Sequence, residues 1–326
     1  MNKNIKLIIN YLLGPLLFVL LAWTLYKQIA HQPDLTERWQ HIKNSWRDYH
    51  FWIVFLLMFV NWGIEARKWQ LQISPLERFS FLKSYKAILS GCSITMLTPN
   101  RIGEYGGRII YLEEHHRLKA ISLTILGSIS QLTITMLMGM IGLSVLRYGS
   151  VIGRSAFDSI SWLLSDGLYI VSVAVTIVLL LVYFRVHFLI VFVSKASFLQ
   201  RFTKYVILLD AFGGKQLLRI LFLSFLRYII FILQYMLLLR VMGVEIAYPV
   251  SFLLLTIFYL VMAVAPTIGF TELPVRATAS VVLFELFSKN IVGIQAAAFG
   301  IWLINIVIPA VLGSLLIFGI KIMKER

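Results

Sequence analysis

Six stretches of the sequence are apolar over enough residues to cross a lipid bilayer as helices. A hydrocarbon core about 30 Å thick takes roughly 20 residues of helix at about 1.5 Å per residue. The stretches cover residues 7–27, 50–66, 120–146, 162–184, 217–240 and 291–320. Charged residues make up only 14% of the chain, against roughly 25% in soluble domains. The sequence therefore predicts an all-α polytopic membrane protein in which residues 1–326 form a single membrane domain.

Two further apolar stretches are interrupted. Residues 81–112 break at Thr98-Pro99-Asn100, and residues 248–288 break at Ala265-Pro266-Thr267. Because proline lacks an N–H and disrupts a helix, each stretch is predicted to enter the membrane, turn and return to its own side. The predicted fold has about six full transmembrane helices plus two re-entrant helical hairpins, at about 81–112 and about 248–288.

The basic residues predict the orientation. The chain carries 30 Lys and Arg against 15 Asp and Glu, a net charge of +15. With a cytoplasmic N-terminus, most basic residues fall in the segments on the cytoplasmic side, where membrane proteins collect them. Both termini are then cytoplasmic, and the two hairpins enter from opposite sides, like an inverted repeat. Because basic loops beside anionic lipid headgroups account for the charge, no nucleic-acid partner is expected.

A similar pattern of residues occurs at both breaks. The first reads TPNRIGEYGGRIIYL and the second APTIGFTELPVRATASVVLFE. Each contains a proline, a glycine and then Glu-x-x-x-Arg, which is Glu104 with Arg108 and Glu272 with Arg276. Glutamate and arginine four residues apart share one helix face and can pair. An ionisable residue inside the membrane costs about 2.5–3.5 kcal/mol on insertion scales, so these residues are candidates for function.

These residue types suit an anionic headgroup. Free N–H groups at the start of a helix and planar guanidinium groups both favour phosphate oxygens. We expect the headgroup to lie between the hairpins against arginines, with carboxylates that hold the arginines or take up a proton. The candidate substrate-binding residues are Arg101, Glu104, Arg108, Arg227, Glu272 and Arg276. The candidate structural positions, where proline shapes the chain or glycine permits close approach, are Pro99, Gly103, Gly106, Gly107, Pro266, Gly269 and Pro274.

A purely structural role for these charges stays open. The two Glu–Arg pairs could pin the hairpins, and Arg227 could be paired or reach the interface with its long side chain. Glu65, in NWGIEARKW, is expected near the membrane interface with a structural role. One cysteine and six scattered histidines give no metal-ligand spacing, and no Walker A motif occurs. No metal, cofactor or catalytic residue is therefore expected.

The same residues resemble a known family. PNRIGEYGGR and PTIGFTELPVRATASVVLF are similar to the two motif regions of the lysylphosphatidylglycerol synthase transmembrane-domain family, the flippase-like membrane proteins of bacteria and archaea. The resemblance runs over nearly the whole chain. The residues that match the first region are Pro99, Arg101, Gly103, Glu104 and Arg108. Those that match the second are Pro266, Gly269, Val275 and Arg276.

The second region departs from the family pattern. Pro274 stands where the family has a glycine and Ala277 where it has a glutamate, which leaves Glu272 as the nearby carboxylate. The sequence resembles the membrane half of the family alone, without the soluble domain that transfers aminoacyl groups, so lysylation of a lipid is not expected. The resemblance implies that the protein binds an anionic lipid or an isoprenoid-phosphate-linked glycan and translocates it between the leaflets of a bacterial or archaeal cytoplasmic membrane.

Two other functions fit the sequence. One is an accessory or scaffold subunit that works beside envelope-biosynthesis enzymes. The other is a membrane-embedded, lipid-dependent transferase, which has less support because no Asp-rich metal motif occurs. The expected partners are membrane lipids, anionic or isoprenoid-linked, and assembly as a homo-oligomer stays open.

Overall fold

The computed structural model describes most of the chain, and its secondary structure there is helical. The described residues are 23, 35–96, 98, 103–148, 166–185, 208–209, 212–265 and 272–318. The helices are α1 (Leu35–Asn44), α2 (Tyr49–Ile73), α3 (Phe81–Met96), α4 (Gly103–Ile109), α5 (Glu114–Tyr148), α6 (Asp166–Phe184), α7 (Gly214–Val241), α8 (Tyr248–Val264), α9 (Glu272–Phe284), α10 (Ile291–Trp302) and α11 (Ile308–Phe318). The prediction of an all-α membrane protein is confirmed.

Four described helices are long and apolar enough to cross a membrane. They are α2, α5, α7 and the continuous helix Ile291–Ile317, in which a π-helical turn joins α10 to α11. These match four of the six predicted spans. The predicted span 162–184 corresponds to α6, whose apolar part, Tyr169–Phe184, is shorter. The predicted span 7–27 lies outside the described residues except for Trp23.

Helix α7 occupies the centre of the bundle and contacts α2, α5, α8 and α10. Its buried side carries large side chains such as Tyr228 and Tyr235, and the Tyr235 ring meets that of Phe258 on α8 edge to face, with centroids 5.3 Å apart. On its other side, Leu218 and Phe222 are exposed. Since a lipid bilayer solvates apolar surface, this outward-facing hydrophobic side is the one expected to contact lipid.

Helices α3 and α4, on either side of the first predicted break, pack against each other in antiparallel fashion. Gly103, at the start of α4, lies against the backbone of Ile94, and Gly107 lies against that of Gly91. The hydroxyl of Thr98 accepts a hydrogen bond from the backbone N–H of Gly103 at 2.7 Å. This bond satisfies one of the N–H groups that a helix start leaves without an intrahelical partner.

The second predicted break also separates two helices, α8 and α9. Helix α9 contacts both α8 and α10, and Pro274 lies in its first turn, where a missing N–H costs little. Beyond α9, the side-chain amide of Asn290 donates hydrogen bonds to the carbonyls of Met242 and Gly243. The segment after α9 therefore returns to the end of α7, close to where α8 begins.

The segment before α2 shows the character of a membrane-interface element. Trp39 of α1 and Trp46 of the following 3-10 turn are both exposed, and Lys43 and Arg47 lie over their rings at 5.9 and 5.4 Å. Trp with Lys or Arg is the combination that membrane interfaces collect. The carboxylate of Asp48 then accepts the backbone N–H of His50 at 2.9 Å and caps the start of α2.

A buried charge cluster as the candidate functional site

One face of α2 carries a buried polar stripe in the second half of the helix. Asn61, Glu65, Lys68 and Gln72 follow each other at spacings of four, three and four residues, which places them on one side of a helix. All four are at most 3% exposed. A buried polar stripe on a transmembrane helix must find its partners on neighbouring helices.

Glu65 is the centre of the resulting contacts. One carboxylate oxygen lies 2.7 Å from the ammonium of Lys68 and 2.8 Å from the guanidinium of Arg227 on α7. The other lies 2.9 Å from the guanidinium of Arg108 on α4. Arg108 also pairs with Glu104, one turn earlier on α4. We call these five residues the Glu65 cluster, and they connect α2, α4 and α7.

Neutral neighbours hold Arg227 in place within the Glu65 cluster. Its Nε donates a hydrogen bond to the side-chain oxygen of Asn61 at 2.8 Å. Its guanidinium lies over the ring of Trp62 at 4.8 Å and over that of Phe231 at 5.3 Å. Cation–π contacts of this kind gain strength where water is excluded.

Close helix packing brings Arg108 to Glu65. At Gly91 on α3, a Cβ atom would lie 3.2 Å from Cγ of Arg108 and 3.0 Å from the carbonyl oxygen of Glu104. A larger residue at this position would push α4 away from α3. Gly91, which precedes the sequence motif, therefore helps to set the position of the arginine by permitting close approach of α4.

The Glu65 cluster has more positive than negative groups. Lys68, Arg108 and Arg227 face the carboxylates of Glu65 and Glu104, which leaves one positive charge in excess when all five are ionised. Among the described residues, Nε of Arg108 is buried and has no hydrogen-bond partner. Buried polar groups are normally paired, so the cluster offers both charge and a free donor to an anion.

A second buried ion pair lies on α9. The guanidinium of Arg276 is 3.0 Å from the carboxylate of Glu272 and 5.7 Å from the ring centre of Phe258 on α8. The hydroxyl of Ser280 bonds the carbonyl of Arg276 at 2.8 Å and the hydroxyl of Tyr235 at 2.6 Å. Nε of Arg276, like that of Arg108, is buried without a hydrogen-bond partner in the described part of the chain.

A row of aromatic rings runs between the two charged groups. Arg227 lies over Phe231, whose ring is 6.2 Å from that of Tyr259. Tyr259 in turn lies 5.2 Å from Phe258, the ring beneath Arg276. The two groups thus face opposite ends of one short aromatic row formed by α7 and α8.

The structure brings together some of the predicted site residues, and others lie outside its described part. Glu104, Arg108 and Arg227 belong to the Glu65 cluster, and Glu272 and Arg276 form the second pair. Gly103 and Gly107 adjoin α3, whereas a Cβ at Gly106 would meet open space. The predicted residues outside the described part of the chain are Pro99, Arg101, Pro266 and Gly269.

Sequence reasoning missed the residues at the centre of the cluster. Glu65 was not among the candidate site residues, yet it is 3% exposed and pairs with three cations. Lys68 was not singled out and is 1% exposed. The signal was available in the polar stripe of α2, because polar residues at spacings of four, three and four within an apolar helix indicate a buried polar face.

Among the described residues, Glu113, His115 and His116 offer a group of metal-ligating side chains. Their donor atoms lie within 4.8 Å of one another. The side chains of Glu113 and His115 are about two-thirds exposed, at 66% and 65%. This group lies at the start of α5, and its exposure contrasts with that of Glu65, Lys68 and Arg108, which are at most 3% exposed.

Comparison with known proteins identifies the family of the chain. Neither the curated proteins nor the solved structures give a match. The family profile described as "Lysylphosphatidylglycerol synthase TM region" matches residues 11–313. That range includes every helix of the Glu65 cluster and the second ion pair. The chain therefore belongs to the lysylphosphatidylglycerol synthase transmembrane-region family of multi-pass membrane proteins.

Proposed function

We propose that this protein binds an anionic lipid, or an isoprenoid-phosphate-linked glycan, and moves it between the two leaflets of the membrane. The observation that carries the proposal is the Glu65 cluster, in which three buried cations face two carboxylates inside a bundle of apolar helices. Family membership supports a role connected with lipids.

The charge of the cluster favours an anion. Buried charges are costly unless they are paired, and with all five groups ionised the cluster carries one more cation than its carboxylates neutralise. A phosphodiester bears a single negative charge and several acceptor oxygens, which suit the free Nε of Arg108. An anionic headgroup at this position would therefore complete both the charge balance and the hydrogen bonding.

The arrangement of the interrupted helices supports movement across the membrane. In the first pair, Glu77 before α3 lies 3.9 Å from His116 beyond α4. In the second pair, Asn290 beyond α9 bonds the carbonyls that precede α8. The two ends of each helix pair thus lie close together, and we propose that each pair is a re-entrant hairpin. Transporters of this kind bind substrate between such elements and expose it to each side in turn.

A translocation assay tests the proposal. Purified protein is reconstituted into vesicles with a trace of fluorescent phosphatidylglycerol, and a membrane-impermeant reductant then bleaches the lipid of the outer leaflet. Translocation bleaches nearly all of the lipid, whereas its absence leaves about half. We expect Arg276→Gln to slow translocation at least tenfold, because it removes the guanidinium of the second ion pair.

Arg240→Gln is the matched control, since Arg240 is an exposed arginine at the end of α7. Mass spectrometry of lipids that remain with the gently purified proteins gives a second measurement. We expect anionic or isoprenoid-phosphate lipid to be enriched with wild type and lost from Arg276→Gln. Equal lipid profiles and equal translocation in all three proteins would contradict the proposal. The ion pairs would then be structural clamps, as the accessory-subunit hypothesis expects.

A further inference from the structure

Lys68 is the one cation of the Glu65 cluster that can lose its charge readily. Arginine stays protonated in proteins, whereas a lysine amine can exist in a neutral form where it is buried. Lys68 is 1% exposed and lies in the interior of the bundle. Without a bound anion, release of one proton from Lys68 would remove the excess positive charge of the cluster.

The surroundings of Lys68 can satisfy both of its forms. Its Nζ lies 2.7 Å from a Glu65 oxygen, 3.4 Å from the hydroxyl of Ser224 and 3.5 Å from the carbonyl of Gly127. The Ser224 hydroxyl is also 2.7 Å from that of Ser130, which can donate to the Gly127 carbonyl at 2.8 Å.

Both forms of Lys68 can be satisfied because the hydroxyls of Ser224 and Ser130 can rotate. An ammonium donates to Glu65, to the Gly127 carbonyl and to Ser224, whose own proton then goes to Ser130. A neutral amine donates to Glu65 and the carbonyl and accepts the proton of Ser224 at its lone pair. Neither form leaves Nζ with an unused donor or acceptor.

In the described part of the chain, the charged groups around Lys68 are those of the cluster itself. Glu65 is on its own helix, Glu104 and Arg108 are on α4, and Arg227 is on α7. Helix α3 brings the thiol of Cys92 toward Arg108. The other groups that reach Lys68 are neutral: the Gly127 carbonyl of α5 and the hydroxyl of Ser224 on α7, which is hydrogen-bonded to Ser130 of α5.

We propose that Lys68 takes up one proton from water when an anionic headgroup binds to the Glu65 cluster and returns it when the headgroup leaves. The net charge of the cluster is then zero both without a headgroup and with one bound. This inference rests on the proposed function. It adds that lipid movement is coupled to proton movement, with one proton carried for each singly charged lipid.

The test uses wild-type protein in detergent and a short-chain phosphatidylglycerol, whose phosphodiester keeps one charge between pH 6 and 9. Binding is measured by calorimetry in two buffers that differ in ionisation enthalpy, which counts the protons taken up. On the alkaline side we expect about one proton per lipid and a Kd that rises about tenfold per pH unit. On the acidic side Lys68 is already charged, so affinity is expected to be independent of pH.

Lys68→Arg fixes the charge and is expected to bind the lipid with a flat pH profile. Lys83→Arg is the control at a partly exposed lysine paired with Glu77, and its profile should follow wild type. Wild type that binds without proton uptake at any pH overturns the coupling and leaves the proposed function intact. An unchanged slope in Lys68→Arg also overturns it. Wild type that binds no lipid at any pH contradicts the proposed function and this inference together.

Discussion

At the scale of single residues, Glu65 has the largest expected effect on stability. Glu65→Gln leaves Lys68, Arg108 and Arg227 with the carboxylate of Glu104 alone. Removal of one partner from a buried ion pair costs about 3–5 kcal/mol, because the remaining charge stays desolvated. We therefore expect a large fall in the melting temperature of the protein in detergent, measured by thermal unfolding.

A double variant separates this effect from general damage to α2. Glu65→Gln with Lys68→Met removes the carboxylate together with the amine that pairs with it, so the double variant has the charge excess of the fully ionised wild-type cluster. We expect the double variant to be more stable than Glu65→Gln alone. Glu245→Gln, at an exposed glutamate, controls for loss of a carboxylate and should leave the melting temperature unchanged. A double variant less stable than either single one would argue against the cluster as the cause.

At the scale of elements, two adjacent glycines of α4 differ in their surroundings. A Cβ at Gly107 would lie 2.6 Å from Cα of Gly91 on α3, closer than real contacts permit. Gly107→Ala should separate α3 from α4 at a cost of about 1–3 kcal/mol. Gly106→Ala meets open space and should leave stability equal or higher, by up to about 1 kcal/mol, since alanine favours a helix. Equal melting temperatures for the two variants would contradict the observed packing.

The start of α2 depends on the cap at Asp48. The backbone N–H of His50 donates to this carboxylate and lowers its pKa below the ordinary value, an effect larger than the opposing one of partial burial. A lowered pKa in the folded state stabilises the fold above the unfolded pKa of about 3.9, and this contribution is lost as pH falls through the lowered value.

Two variants at Asp48 check the cap. Asp48→Ala should lower stability by about 1 kcal/mol at neutral pH, because the His50 N–H loses its acceptor. Asp48→Asn keeps an acceptor without a titrating group, so it should retain the cap and lack the loss below about pH 4 that wild type shows. Melting temperatures between pH 3 and 7 measure both effects. A wild-type profile identical to that of Asp48→Asn would contradict the assignment.

At the scale of the whole molecule, the bilayer explains which features the sequence could predict. Length and apolarity alone locate α2, α5, α7 and the helix Ile291–Ile317, because a membrane span must form its backbone hydrogen bonds within itself. The prolines similarly indicate where α3 and α8 end. The contacts of Glu65 could not be predicted in this way. They join residues 43 and 162 positions apart, which meet only after the helices pack.

Orientation is the remaining property of the whole molecule that an experiment can settle, and the distribution of basic residues predicts it. If the N-terminus is cytoplasmic, the end of α2 faces the cytoplasm and the connection between α7 and α8 faces outward. The only cysteine, Cys92, is buried, so background labelling should be low. In intact cells, a membrane-impermeant thiol reagent should label Glu245→Cys at once and Ser74→Cys only after permeabilisation, since both positions are exposed. The reverse pattern would invert the topology, and the second hairpin would then enter from the cytoplasm.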